Sequence, residues 1–112
     1  MRHILRQALE RAGYEVLEGP NGRVGRQLQR TAPAEVILID IFMPAQEGLE
    51  TIRELRRAFP ATKIIAMSRE GQIGSFNFLT MAERLGAQRT LQKPFGLQEM
   101  LDAVQELLQS KA

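Results

Sequence analysis

Two hydrophobic runs constrain this chain most tightly: Glu35-Val36-Ile37-Leu38-Ile39-Asp40 and Lys63-Ile64-Ile65-Ala66-Met67. Each is continuously apolar instead of alternating, the pattern of a strand buried on both faces of a sheet. Around them, apolar residues recur at helical spacing. Ile4, Leu5, Ala8, Leu9 and Ala12 stripe a helix over residues 2–12, with Gly13 where a left-handed residue would close it. Tyr14 to Leu17 reads as a short strand. Gly19-Pro20-Asn21-Gly22 is turn chemistry, with Asn21 as N-cap of a helix that carries Val24 and Leu28 and ends near Thr31-Ala32-Pro33. Leu49, Ile52, Leu55 and Phe59 stripe a helix stopped by Pro60. Phe76, Leu79, Ala82 and Leu85 stripe another, closed by Gly86. Residues 88–91 form a weaker strand, and Leu97, Met100, Leu101, Val104 and Leu108 mark the last helix. The order α-β-α-β-α-β-α-β-α predicts an α/β domain, a parallel sheet with helices on both faces.

At 112 residues the chain fits one domain, and 44% apolar content with 25% charge places it well outside disorder. It has no cysteine, which excludes disulfides, thiolate metal sites and cysteine nucleophiles. His3 alone cannot build a histidine-rich metal site and reads as an exposed first-turn residue. The net charge is +2 and no arginine or lysine run is dense, so direct nucleic-acid binding is not expected. No apolar run is long enough to span a bilayer, and Met1-Arg2-His3-Ile4 lacks the apolar core of a signal peptide. The expectation is a cytoplasmic protein with no membrane contact.

In open parallel sheets, ligands bind beyond the carboxyl ends of the strands. Three polar residues fall at such ends: Asp40 after Val36–Ile39, Ser68 after Ile64–Met67, and Lys93 after the 88–91 strand. Taken singly, each is an ordinary turn or surface residue. Right-handed crossovers bring all three to one rim. There a carboxylate can attack phosphorus while an ammonium and a hydroxyl stabilise the equatorial oxygens.

Asp40-Ile41-Phe42-Met43-Pro44 with Gly48 four residues on resembles the phosphoacceptor loop of response regulator receiver domains, the CheY-like family. Ala66-Met67-Ser68 is similar to that family's switch-hydroxyl strand end, Gly86-Ala87 and Lys93-Pro94-Phe95 to its Lys-Pro motif, and Ala12-Gly13-Tyr14-Glu15-Val16 to its passage from first helix to second strand. The resemblance covers essentially the whole chain, so residues 1–112 are expected to be one receiver domain of flavodoxin-like, three-layer architecture. It implies Asp40 as phosphoacceptor, Ser68 and Lys93 as the groups that close on the phosphoryl oxygens, and a cis Lys93–Pro94 bond. It implies Mg²⁺ held by Asp40 and the backbone carbonyl of Phe42, together with an acidic pair.

That pair and the first strand carrying it would lie about 45 residues before Asp40, ahead of Met1, so the chain reads as N-terminally truncated relative to the family. In the strand order 2-1-3-4-5 a slot would then open between the 14–17 and 35–40 strands. Direct pairing of those strands, an edge from another chain, or association into an oligomer would close it. Each carboxylate missing near the metal forfeits roughly 4 kcal/mol at 4 Å and an effective dielectric constant of 20, so Mg²⁺ binding should be weak or absent. Three smaller departures stand out. Arg69 follows the switch hydroxyl where the family usually has a small residue. Thr90 occupies the position of an aromatic switch residue. Glu70 reads as a surface carboxylate rather than a replacement acid.

The function implied is a phosphoacceptor module of a two-component system, not an enzyme beyond self-catalysed phosphotransfer to Asp40, and impaired with Mg²⁺. Its partners would be a sensor histidine kinase, a separate effector protein, and a second copy of the chain. The alternative is a phosphorylation-independent pseudo-receiver serving as an interaction or scaffold module. A small flavodoxin-like cofactor enzyme ranks third, since no phosphate-cradling Gly-rich loop occurs. Ser68 lacks a G-x-S-x-G setting and a partner histidine, which excludes a hydrolase triad. Phe76 and Phe78, near Leu79 and Met81, read as core.

Overall fold

The computed structural model describes residues 2–41, 45–68, 72–73 and 76–109. In chain order the elements are α1 (Arg2–Arg11), α2 (Gly22–Thr31), β1 (Val36–Ile41), α3 (Ala45–Ala58), β2 (Lys63–Ser68), β3 (Gln72–Ile73), β4 (Phe76–Asn77), α4 (Phe78–Leu85), β5 (Arg89–Gln92) and α5 (Leu97–Gln109). The three longer strands form one parallel sheet in the order β1-β2-β5, while β3 and β4 make a separate antiparallel ribbon.

Strand alternation sorts the core into two halves. Ile65 and Met67 of β2 join Leu5 and Leu9 of α1, Leu91 of β5, and Met100, Val104 and Leu107 of α5. Ile64 and Ala66 face the other way, toward Ile52 and Leu55 of α3 and Ala82 of α4. The result is the expected three-layer α/β arrangement. Ile52, Ile64, Ile65 and Met100 are completely buried, and each such side chain contributes about 1.5–3 kcal/mol of transfer free energy. From Ile64 to Ser68 every residue of β2 is buried, as befits the middle of the sheet, whereas Val36 to Ile39 of β1 are only half-buried. Among the described residues no strand pairs with the outer edge of β1.

That edge explains the main correction to the sequence reading. Tyr14–Leu17 is not a strand. A strand needs a neighbour to satisfy its backbone, and among the described residues nothing stands beside this segment to supply one. Its alternation survives nonetheless. Tyr14 and Val16 pack against the α1/α5 half of the core, while Leu17 is 52% exposed. The Tyr14 amide instead donates to the Leu9 carbonyl at the end of α1, and Gly13 takes the positive φ of 96° expected of it. Direct pairing of the 14–17 segment with β1 is therefore not formed.

Phe76 also departs from expectation, since it lies in β4 and not in the helix. Asn77 starts that helix sharply, its side chain accepting from the Thr80 amide at 3.0 Å. Asn21 caps α2 in the same way through the Val24 amide at 3.0 Å, as its position in the turn predicts. Among the described residues no helix is long and apolar enough to cross a membrane.

Candidate functional site

Because β1, β2 and β5 run parallel and adjacent, their carboxyl ends share one rim of the sheet. Asp40 stands opposite Met67, Ile41 opposite Ser68, and Ser68 opposite Gln92, which Lys93 follows. Side-chain carboxylate, hydroxyl and ammonium thus come from three neighbouring strand tips.

Lys93 and Asp40, 53 positions apart, are in direct contact. Lys93 Nζ donates to Asp40 Oδ2 at 2.7 Å, the length of a charge-assisted hydrogen bond. The Lys93 side chain is 10% exposed and that of Asp40 37%, so the ammonium is laid down along the rim while the carboxylate stays open to solvent. The backbone holds Lys93 in place. Its amide donates to the Ser68 carbonyl at 2.7 Å, its bond to Pro94 is cis, and Phe95 packs on the α1/α5 half of the core.

Ser68 closes β2 and is buried. Sharing a register position with Ile41, it falls by strand alternation on the α3/α4 face of the sheet, opposite the face of Asp40. Thr90 is half-buried and stands opposite Ala66, on that same α3/α4 face. His3 is exposed. Phe42, Arg69 and Glu70 lie outside the described residues.

Gly48 lies in the first turn of α3, close against the tip of β1. A Cβ there would sit 3.3 Å from Ile41 Cγ1 and 3.4 Å from Ile41 Cα, a tight fit that a glycine relieves where α3 begins against the tip of β1. Two polar contacts had no signal in the sequence. Arg56 donates to the carbonyls of Pro60 and Gly86 and to Gln88 Oε1, which also accepts from the Ile64 amide. This brace sits where β2 and β5 begin, at the end of the sheet away from Asp40. Buried Gln29 donates to Thr62 Oγ1 and the Ala34 carbonyl and accepts from the Ala34 amide.

Among the described residues no group of three or more histidine, cysteine, aspartate or glutamate side chains stands together. The Asp40 carboxylate is paired with the Lys93 ammonium. Mg²⁺ takes several oxygen ligands in a tight octahedron, and the described residues alone do not complete such a set.

Known proteins resemble this chain in both sequence and fold. Residues 1–105 match the family model described as the response regulator receiver domain. The chain is 31% identical over 108 residues to the chemotaxis protein CheY of Thermotoga maritima, covering 96% of this chain and 88% of that one. It is 33% identical over 110 residues to the DNA-binding transcriptional regulator NtrC of Azospirillum brasilense, where it covers 98% of itself but spans 22% of the relative. In fold it superposes on the receiver domain of NtrX from Brucella abortus with a TM-score of 0.87, at 19% identity, over 98% of this chain and 91% of that one. The chain belongs to the response regulator receiver domain family.

Proposed function

We propose that Asp40 is the phosphoacceptor of this receiver domain, taking its phosphoryl group from a sensor histidine kinase. The observation that carries the reading is the 2.7 Å contact between Lys93 Nζ and Asp40 Oδ2 at the strand tips. A carboxylate oxygen exposed at the rim attacks phosphorus, the donor's P–N bond breaks, and the imidazole leaves with a proton from solvent. An acyl phosphate forms on Asp40. Lys93, already on the rim, then pairs with the phosphoryl oxygens as negative charge builds on them. Ser68, which lies at the neighbouring tip but on the other face of the sheet, is the hydroxyl that swings over the end of β2 to close on the same group, and Thr90 is the half-buried position that would sense that movement on the α3/α4 face. The bound dianion biases a two-state rim, which a separate effector protein or a second copy of the chain reads.

With no cluster of three or more acids among the described residues, the transfer is slow and responds weakly to Mg²⁺. This shortage of acids also favours a second reading, a pseudo-receiver that acts by binding alone with the Lys93–Asp40 pair left intact. Incubation with phosphoramidate and Mg²⁺, followed by intact-mass measurement, separates the two. The phosphoacceptor reading expects partial gain of one phosphoryl group in the native chain and none in Asp40→Asn. No gain in the native chain, from phosphoramidate or from a phosphorylated histidine kinase, would leave the binding module.

A further inference from the structure

Two of the three large hydrophobic side chains left exposed among the described residues belong to the helices of one layer. Ile4 of α1 is 52% exposed and Leu97 of α5 is 42% exposed. The ion pairs of each helix fix the flank on which they lie. Arg6 reaches Glu18, which turns its flank of α1 toward the segment that follows the helix. Ile4 and Ala8, two positions to either side of Arg6, lie across the helix from it. Glu106 meets Arg89, which turns its flank of α5 toward β5, and Leu97, Leu101 and Leu108 lie on the far flank. The two helices share one core cluster, so these apolar flanks adjoin, with Ala8, Leu101 and Leu108 only half-buried. An apolar strip thus runs between α1 and α5, edged by exposed Gln7, Gln98 and Gln105, which are polar but uncharged.

The two sides of the strip differ in sign. α1 carries three arginines against one glutamate, whereas α5 carries three acids and no base. Arg11 on the first and Asp102 on the second are exposed, and neither forms an ion pair among the described residues. A face that is cationic along one edge, anionic along the other and apolar between is complementary to itself. A twofold axis lying along the strip sets α1 of each copy over α5 of the other, so that opposite charges meet and the apolar side chains are covered together. Pairing α1 with α1 would oppose like charges instead. Helices of 10 and 13 residues are about 15 and 20 Å long, which puts the face at the small end of specific interfaces and makes the pairing a reversible one.

We propose that the α1/α5 face joins two copies of the chain in a twofold dimer, independently of the chemistry at Asp40. Sedimentation equilibrium of the full chain, from about 10 µM to about 1 mM, should show the mean mass rising from one chain toward two. The variant I4Q/L97Q should weaken association by about tenfold or more, and should leave the thermal midpoint within about 3 °C because both side chains are already exposed. Charge gives a second readout that does not depend on the apolar strip. R11E and D102K should each weaken the dimer by about threefold or more, and R11E/D102K together should return it to within about twofold of the native chain. Asp40→Asn should associate as the native chain does, which separates this test from the labelling of Asp40. A chain that stays monomeric to about 1 mM overturns the proposal. So does native-like association of I4Q/L97Q, a double charge reversal that is weaker than either single one, or loss of association in Asp40→Asn.

Discussion

Lys93 and Asp40 separate stability from chemistry at the scale of single residues. Asp40 is open enough to be hydrated without its partner, so the pair behaves as a surface ion pair in folding. Lys93→Ala should therefore cost no more than about 1 kcal/mol in urea unfolding. The same change removes the cation from the charge that builds during phosphoryl transfer, where a lost donor costs about 100-fold or more in rate. Measured together, a small stability loss and a large loss of Asp40 labelling are expected; equal losses would make Lys93 a fold residue only. The rim residues were legible because their types and strand-end positions are sequence properties. What could not be read was that Lys93 already touches Asp40, since that depends on how the backbone after β5 is pinned to Ser68.

Glycines make the sharpest predictions at the scale of elements, because their surroundings differ. A methyl group added at Gly25 would meet nothing within 4 Å, so Gly25→Ala should stabilise α2 by about 0.5–1 kcal/mol through helix propensity. Gly48 should behave oppositely. The same propensity gain of about 1 kcal/mol is outweighed by crowding against Ile41, which costs about 1–3 kcal/mol, so Gly48→Ala should destabilise the domain in urea titration. Asn77→Ala should lose about 1 kcal/mol with the α4 cap. Helix stripes and the Asn21 cap were plain in the sequence because both are local. Phe76 misleads for the same reason: its apolar spacing matches the helix, but Asn77 caps the helix one residue later. The Arg56–Gln88 brace joins residues 32 apart, and no local pattern announces such a contact.

For the whole molecule, the decisive feature is the outer edge of β1. The Lys63 amide donates to the Glu35 carbonyl, which fixes the parallel ladder so that amides of Ile37, Ile39 and Ile41 point to β2. Those of Val36, Leu38 and Asp40 point to the outer edge, where no strand pairs among the described residues. Hydrogen exchange should then alternate along β1, with Leu38 much faster than Ile37 and Ile39. Uniform protection would mean that the edge is paired in solution. The Tyr14–Leu17 segment reads as a strand from an alternation that is real, yet a strand is completed by its neighbour, which composition and spacing cannot supply. Its side chains keep their inward and outward sides while its backbone does not join the sheet.

One carboxylate and one ammonium at adjacent strand tips, acting together on phosphorus, are the centre of the proposed chemistry. Tandem mass spectrometry of the chain after labelling by a phosphorylated histidine kinase tests this most directly. It should place the phosphoryl group on Asp40 and no other residue, with labelling strongly reduced in Lys93→Ala. Label found elsewhere, or undiminished without the Lys93 amine, would contradict it.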